Sequence, residues 1–223
     1  WRAWTAGLSA AICLAGLVSL VLQGLNLGLD FTGGTVVELG FREEVQTATI
    51  SEQLAKAGFE SASVVHFGSE RDVLVRLPPS EGATVGKQVL VAVGGAEVAT
   101  MKRTDVVGAQ IGDELRDQGG IAFVVALLLV AAYVAMRYEW KLATGAIVAI
   151  FHDVLVTVGL FSIFQWEFDL AALAAVLSLV GYSINDTIVI YDRVRENFRK
   201  FRRVERFTVI NVSLTQTLGR TIT

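Results

Sequence analysis

The amino-acid sequence predicts a polytopic α-helical membrane protein that carries one polar α+β domain. The chain has 223 residues, of which 53% are hydrophobic and only 18% are charged. This composition is too apolar for an ordinary soluble domain. The apolar residues are concentrated in four long runs, which predict four spans of a hydrocarbon layer about 30 Å thick; they cover residues 4–25, 121–136, 142–164 and 169–191.

The first apolar run predicts a retained transmembrane helix within residues 1–27. A cleaved signal peptide is the alternative, but its apolar core is shorter, and this run leads directly into the segment LDFTGGT. In that segment Asp30, Gly33 and Gly34 are not followed by the Lys-Ser/Thr pair of a phosphate loop. A tight turn between the membrane and a domain is therefore favoured.

Residues 28–118 predict an extracytoplasmic domain of the ferredoxin-like class, together with its connections. The strand signals are TVVELGF, ASVVHFG, DVLVRLP and residues 97–104, and the helix signals are residues 50–59 and 84–93. The order βαββαβ is that of a split βαβ unit, with a hairpin turn at Ser69 to Arg71. His66 has no second His or Cys nearby, so it is interpreted as a surface histidine rather than a metal ligand.

Residues 119–192 hold the second, third and fourth spans, and Asp186 in the fourth is the main candidate functional residue. The run at 169–191 predicts a helix of about 20 residues, with Asp186 in the half nearer its basic end. An ionised carboxylate there costs about 2.5–3.5 kcal/mol on insertion scales, so it should pair with a cation or bind a proton. A carboxylate that only joins helices through hydrogen bonds is the alternative.

Small and polar side chains share one face of this helix. They recur at steps of three and four residues, at Ser178, Gly181, Tyr182, Asn185, Asp186, Val189 and Asp192. The opposite face carries Leu177, Ile184 and Ile188. We expect the polar face to pack inward, with Ser178, Tyr182 and Asn185 supporting Asp186 and with Asp192 at the membrane interface.

The third apolar run contains His152 beside Asp153. A histidine and an aspartate inside a membrane suggest a proton relay. Adjacent residues of a helix point about 100° apart, however, so the sequence predicts that the two side chains form no tight dyad. Structural hydrogen bonding to a neighbouring helix is an equal alternative.

Basic residues mark one side of the membrane. Arg137 and Lys141 lie between the second and third runs, and a cluster follows the fourth, at Arg193, Arg195, Arg199, Lys200, Arg202, Arg203 and Arg206. The positive-inside rule places both groups in the cytoplasm and the polar domain outside. Residues 193–223 predict a basic amphipathic helix that lies on the membrane or on a partner, and lipid is favoured over nucleic acid.

Three stretches carry a family resemblance: LDFTGGTVVEL, GYSINDTIVIYDRVRENFRK and NVSLTQTLGRTIT. They resemble the SecF subunits of the bacterial SecDF protein-export complex, which are relatives of the resistance-nodulation-division transporters. The resemblance covers almost the whole chain. It implies a six-span fold of the cytoplasmic (inner) membrane, of which the fifth and sixth spans are missing here. It also implies a subunit that uses the proton gradient to promote translocation of secreted proteins, with no enzymatic activity and no cofactor or metal.

The resemblance also implies residue roles and partners. The family's membrane aspartate falls on Asp186, and the arginine of its TLSRT-like motif falls on Arg220, although Gly219 replaces the serine. The implied partners are SecD, separate or fused, the SecYEG translocon, YajC, YidC, unfolded secretory polypeptides and membrane lipids. Two alternatives remain: a proton-coupled exporter of small hydrophobic molecules, for which one small domain offers little room, and a scaffold in which Asp186 and Arg220 form a fixed pair.

Overall fold

The structure is a computed structural model that describes residues 2–79, 84–201 and 203–222. It contains two compact units: an α/β domain, Leu27–Gly120, and a helical unit, Trp1–Asn26 with Ile121–Thr223. Within these described residues, four helices are long and apolar enough to cross a membrane. The predicted fold class, four spans with one ferredoxin-like domain, is confirmed.

The predicted strands and helices appear in the predicted order, together with three short elements of two to four residues that were not predicted. The elements are α1 (Arg2–Leu22), β1 (Asn26–Leu27), α2 (Leu29–Thr32), β2 (Gly34–Phe41), α3 (Thr47–Lys56), β3 (Ser63–Phe67), β4 (Ser69–Leu77), α4 (Val85–Ala92), β5 (Ala99–Val107), α5 (Ala109–Arg137), α6 (Trp140–Phe164), β6 (Glu167–Phe168), α7 (Leu170–Lys200) and α8 (Arg206–Ile222).

The α/β domain has one antiparallel sheet with the strand order β3-β4-β2-β5. Alternate residues of β2 and β4 are buried, because successive side chains of a strand point to opposite faces. They form a core with α3 and α4, and its fully buried members include Val37, Leu39, Leu54, Val73, Val75 and Val89. Each of these side chains contributes about 1.5–3 kcal/mol through burial. The domain therefore has a core of its own.

The hairpin between β3 and β4 turns earlier than predicted. β4 begins at Ser69, where the sequence predicted a turn, and the chain reverses at Gly68, whose φ of +78° suits glycine. The polar residues from Ser69 to Arg71 suggested a loop. They are instead exposed strand residues, and an exposed strand end tolerates polar side chains.

Glycines at the root of the domain bring three backbone segments together. Gly33 and Gly34 join α2 to β2 with φ angles of +66° and +127°. A Cβ atom on Gly33 would lie 2.8 Å from the Cα of Ala109, and one on Gly112 would lie 2.6 Å from the backbone nitrogen of Gly33. A Cβ on Gly34 would overlap the carbonyl oxygen of Leu77. At the predicted tight turn, the backbone of Gly33 therefore packs directly against the first residues of α5.

Helix α5 is longer than its apolar run. The polar residues before Ile121 continue the same helix back to Ala109. Contacts between side chains three and four residues apart support this exposed part: Arg116 pairs with Asp113 at 3.3 Å, and Gln118 donates to Glu114 at 2.7 Å. At 1.5 Å per residue the helix is about 43 Å long, so it exceeds the hydrocarbon thickness.

Helices α1 and α6 pack through small residues. A Cβ on Gly159 would lie 2.7 Å from the Cα of Gly16, so the two backbones are in direct contact. One turn further along, the hydroxyl groups of Ser19 and Ser162 are hydrogen-bonded at 2.8 Å. Small residues of this kind allow close approach of helices in membranes, where burial of apolar surface gives little driving force.

The amphipathic helix predicted within residues 193–223 is present only in part: residues 193–200 continue α7, and α8 begins at Arg206. The polar side of α8 faces the protein. Asn197 of α7 is buried and donates through Nδ2 to Ser213 Oγ at 2.9 Å and to Gln216 Oε1 at 3.0 Å. Ser213 and Thr217 are also buried. Val209 is buried as well, whereas four large apolar residues of α8 are exposed, at Phe207, Ile210, Leu214 and Leu218. Hydrogen bonds therefore fix the angle between α7 and α8.

Candidate functional site in the membrane helices

Asp186 lies at the margin of the contact between α7 and the rest of the helical unit. Val176, Val180 and Val194 form the fully buried line of α7. Asp186 is half-buried beside that line. Among the residues that the structure describes, its carboxylate has no hydrogen-bond or ion-pair partner. It is therefore placed where a further group could reach it.

The prediction that the polar face of α7 packs inward is wrong for this chain. Ser178 and Asn185 are exposed, and Tyr182 is 75% exposed. The apolar side, with Ile184 and Ile188, packs instead against a cluster that contains Val134, Tyr138, Ala143 and Ala146. The reason is that the facing surface of α6 is largely apolar there, so it has few partners for polar side chains. We call the exposed residues Ser178, Tyr182 and Asn185 the open polar face.

Arg220, the predicted partner of Asp186, falls within α8. Its side chain lies outside the described residues. The Asp186–Arg220 pair therefore stays a prediction.

His152 and Asp153 form a hydrogen-bonded dyad, contrary to the prediction that their side chains would not meet. His152 Nδ1 lies 3.0 Å from Asp153 Oδ1. The prediction is wrong because it compared only the directions of the Cα–Cβ bonds. A flat imidazole ring and a carboxylate can each turn toward the other and close the gap of about 100° between them.

The dyad belongs to a hydrogen-bond chain that crosses three helices. Asp153 Oδ2 accepts a short hydrogen bond from the hydroxyl of Ser183 on α7. On the other side, His152 Nε2 lies 2.5 Å from the hydroxyl oxygen of Ser9 on α1. The chain Ser9–His152–Asp153–Ser183 therefore connects α1, α6 and α7 in the middle of the apolar helices.

The small-residue packing of α1 and α6 sets the register of this chain. The Ser9–His152 and Ser19–Ser162 pairs are both separated by 143 residues, and the Gly16–Gly159 contact has the same offset. A constant offset means that the two helices run parallel without a register shift. Neither Ser9 nor Ser183 was predicted as a site residue. The available signals were a hydroxyl within an apolar run and a serine three residues before Asp186.

Asp192 takes part in a separate contact at the end of α5. Tyr138, in the short connection after α5, donates its hydroxyl to Asp192 Oδ1 at 3.1 Å. Arg137 lies 3.7 Å from the other carboxylate oxygen of Asp192, and the Tyr138 ring meets the Tyr191 ring edge-on. Burial, followed by the hydrogen bond to Asp192, raises the pKa of Tyr138 to about 12. This contact holds the connection between α5 and α6 on α7.

We expect Tyr138→Phe to flatten the alkaline part of the stability profile. Below about pH 10 both the folded and the unfolded state keep the tyrosine proton. Between pH 10 and about 12 the unfolded state releases it while the folded state retains it, so the wild type loses stability as the pH rises. Loss of the hydrogen bond should also cost about 1 kcal/mol at neutral pH.

The measurement is the free energy of unfolding of the full chain in detergent at several pH values. Tyr133→Phe, which removes a hydroxyl from a half-exposed ring on α5, is the matched control. An alkaline slope that is the same in Tyr138→Phe as in the wild type would contradict the prediction.

The fold and these contacts define a class of protein: a multi-pass membrane protein whose spans carry hydrogen-bonded and ionisable groups, joined to one ferredoxin-like domain. Comparison with known proteins gives the family. Residues 87–223 match the family model described as protein export membrane protein SecD/SecF, C-terminal, and residues 18–45 match the SecD/SecF GG motif. The second match includes Gly33 and Gly34.

Similar proteins of known sequence and structure agree with these matches. The protein translocase subunit SecF of Escherichia coli O157:H7 is 43% identical over all of this chain and 71% of its own length. The subunit SecF of Pseudomonas aeruginosa is 49% identical over 92% of this chain and 68% of its own length. The crystal structure of SecDF from Thermus thermophilus, described as a translocon-associated membrane protein, superposes with a TM-score of 0.86 at 34% identity.

The chain belongs to the SecD/SecF family of protein export membrane proteins. The resemblance seen in its sequence motifs is thereby confirmed. The chain covers about 70% of the length of the SecF proteins above. The superposition covers 98% of this chain but only 30% of the SecDF chain, which is much longer.

Proposed function

We propose that this chain is the SecF-like component of a bacterial Sec protein-export machinery and that it uses the proton gradient across the cytoplasmic membrane to promote translocation of secreted proteins. The half-buried carboxylate of Asp186, within the apolar part of α7, is the observation that carries the proposal. Neutralisation by a proton removes the cost of holding a charge in that position. Each proton that crosses a potential of 100 mV supplies about 2.3 kcal/mol.

The open polar face indicates that α7 contacts polar groups of a partner's membrane helices. Polar side chains are costly toward lipid, so Ser178, Tyr182 and Asn185 need polar groups from other helices. A SecD half is the candidate, because a SecDF protein of Brucella abortus is 38% identical over 98% of this chain, which covers only 29% of that protein. Asp186 lies beside this face, so its protonation would alter the contact with SecD.

The proposed topology follows from charge and from helix direction. Basic residues near Arg137 and after Asp192 place those ends in the cytoplasm. Helices α1 and α6 are then the first and third spans, which must cross in the same direction, and their parallel contact agrees with this requirement. In this arrangement the α/β domain is extracytoplasmic, where it would meet the emerging polypeptide. The SecYEG translocon, YajC and YidC complete the proposed partners, with lipid at α8.

The test is gradient-driven export in vesicles that contain the complete complex. Asp186→Asn should abolish the part of export that depends on the proton gradient, because an amide cannot bind and release a proton. Glu196→Gln removes a carboxylate from the exposed end of the same helix and is the matched control. Assembly with SecD is measured in parallel. Undiminished gradient-driven export by an assembled Asp186→Asn complex would reject the proton role and favour a structural carboxylate.

A further inference from the structure

The dyad of His152 and Asp153 lies outside the proposed role of Asp186, yet it places two titratable groups among apolar helices. Both side chains are partly buried, with exposed fractions of 42% for His152 and 28% for Asp153. Each has a second partner on another helix, Ser9 for the histidine and Ser183 for the aspartate. A purely structural role would need only one hydrogen bond at each residue and would not require an ionisable imidazole.

We propose that His152 and Asp153 together bind and release one proton inside the membrane, as a site distinct from Asp186. The inference does not require the export role, because it concerns the protonation of the dyad itself. The proton enters at His152 Nε2, which faces Ser9, while Nδ1–H stays hydrogen-bonded to Asp153. The ligand is a proton, and the site is the hydrogen-bond chain from α1 to α7.

The hydrogen bonds account for both states of the dyad. In the deprotonated state Nδ1–H of a neutral His152 donates to the Asp153 carboxylate, Ser183 donates to the second carboxylate oxygen, and the Ser9 hydroxyl donates to Nε2. The net charge of the dyad is then −1. After a proton binds at Nε2, the new N–H donates to the Ser9 oxygen, and the Ser9 hydroxyl turns to a backbone carbonyl of its own helix. The net charge becomes zero, and no covalent bond other than N–H forms or breaks.

The surroundings balance the two states. A charge of −1 in a low-dielectric layer is costly, and this favours uptake of the proton. The hydrogen bond from Ser183 stabilises the carboxylate, and the carboxylate in turn stabilises a positive imidazolium. The hydrogen bond that the Ser9 hydroxyl donates to Nε2 stabilises the neutral imidazole and opposes uptake, so the dyad can exchange its proton.

Few other ionisable groups face the dyad. Residues 3–22 of α1 include no charged side chain, and Cys13 is the ionisable group nearest to Ser9 along that helix. Between Lys141 and Phe164, α6 carries no charged or ionisable residue besides the dyad. On α7, Asp186 follows Ser183 by three residues, and side chains at that spacing are about 5–6 Å apart at Cβ. An ionised Asp186 therefore favours a proton on the dyad, so the two sites are coupled through Ser183.

The chain contains only two histidines, which makes the test direct. His66→Asn removes the exposed histidine of β3 and leaves His152 as the single imidazole. The full chain is labelled with ¹⁵N-histidine in lipid bilayers, and the ratio of imidazolium to neutral imidazole is measured by NMR as a function of pH. We expect a reversible change from the Nδ1–H tautomer to the imidazolium as the pH falls.

Asp153→Asn should lower the ratio of imidazolium to neutral His152 at least tenfold at a given pH, because the amide cannot balance the positive charge. Glu196→Gln is the control and should leave the ratio unchanged. If Asp153→Asn does not fold, Ser9→Ala decides, since loss of the hydroxyl acceptor for Nε2–H should lower the same ratio several-fold. A His152 that stays neutral at every pH, or a ratio unchanged by the substitution that folds, overturns the proposal. Asp186→Asn should lower the fraction of imidazolium at a given pH but leave His152 able to gain and lose its proton, which separates this site from the export role.

Discussion

Substitution of Gly159 by leucine is expected to detach α1 from α6 and to leave little correctly folded protein. A Cβ at residue 159 would lie 2.7 Å from the Cα of Gly16, so the obstacle is a backbone atom and cannot rotate away. The hydrogen bonds of Ser9 and Ser19 on either side hold the helices at this distance. Overpacking alone costs about 1–3 kcal/mol, and separation of the helices also breaks both hydrogen bonds.

The measurement is the thermal unfolding of the purified full chain in detergent, with the yield of monodisperse protein as a second readout. Gly7→Leu is the matched control, because it adds the same side chain to α1 at a position with no atom within 4 Å of a new Cβ. An equal Tm for Gly159→Leu and Gly7→Leu would show that the close contact is not required.

The second large effect is expected for Gly34→Ala in the α/β domain. Gly34 has a φ of +127°, and a Cβ there would overlap the carbonyl oxygen of Leu77 on the neighbouring strand. Backbone strain of this kind costs about 1–3 kcal/mol, and relief of the overlap would pull β2 away from β4 at the start of their pairing. We expect a total loss above about 3 kcal/mol, roughly 100-fold in the folding equilibrium.

Gly58→Ala separates strain from overlap. Gly58 also has a positive φ, +94°, but a Cβ there meets no atom within 4 Å. Hydrogen exchange of the β2 and β4 amides in the full chain reports the stability of the domain. Gly34→Ala should accelerate that exchange far more than Gly58→Ala does. Equal acceleration in the two variants would mean that backbone conformation alone, and not the contact with Leu77, makes glycine necessary.

The spans and the domain could be predicted because each depends on a local pattern. Length and apolar composition are enough to predict a span, and a short Val-rich run bounded by turn residues is enough to predict the strand that contains Val37 and Leu39. The N-terminal part of α5, from Ala109 to the start of the apolar run, was not predicted as helix, because the prediction relied on the apolar pattern. Its polar residues break the apolar pattern but not the helix.

The side of α7 that packs inward could not be predicted, since it depends on the facing surface. The same polar positions would be buried if a neighbouring helix offered partners, and α6 offers mainly Ala143, Ala146 and other apolar groups. The dyad was missed because a rule based on Cα–Cβ directions ignores the reach of side chains. Ser9 and His152 are 143 residues apart, and only the packing of Gly16 on Gly159 brings them together.

The buried Asn197 has a consequence for how the protein responds to its solvent. An angle between two helices that is held by apolar packing becomes poorly defined in lipid, because the lipid competes for the same surface. The hydrogen bonds from Asn197 to Ser213 and Gln216 lie at a buried site, and neither lipid nor detergent competes for them. The bend after α7 should therefore keep its geometry when the protein is moved from a bilayer to a micelle, even where looser parts of the molecule rearrange.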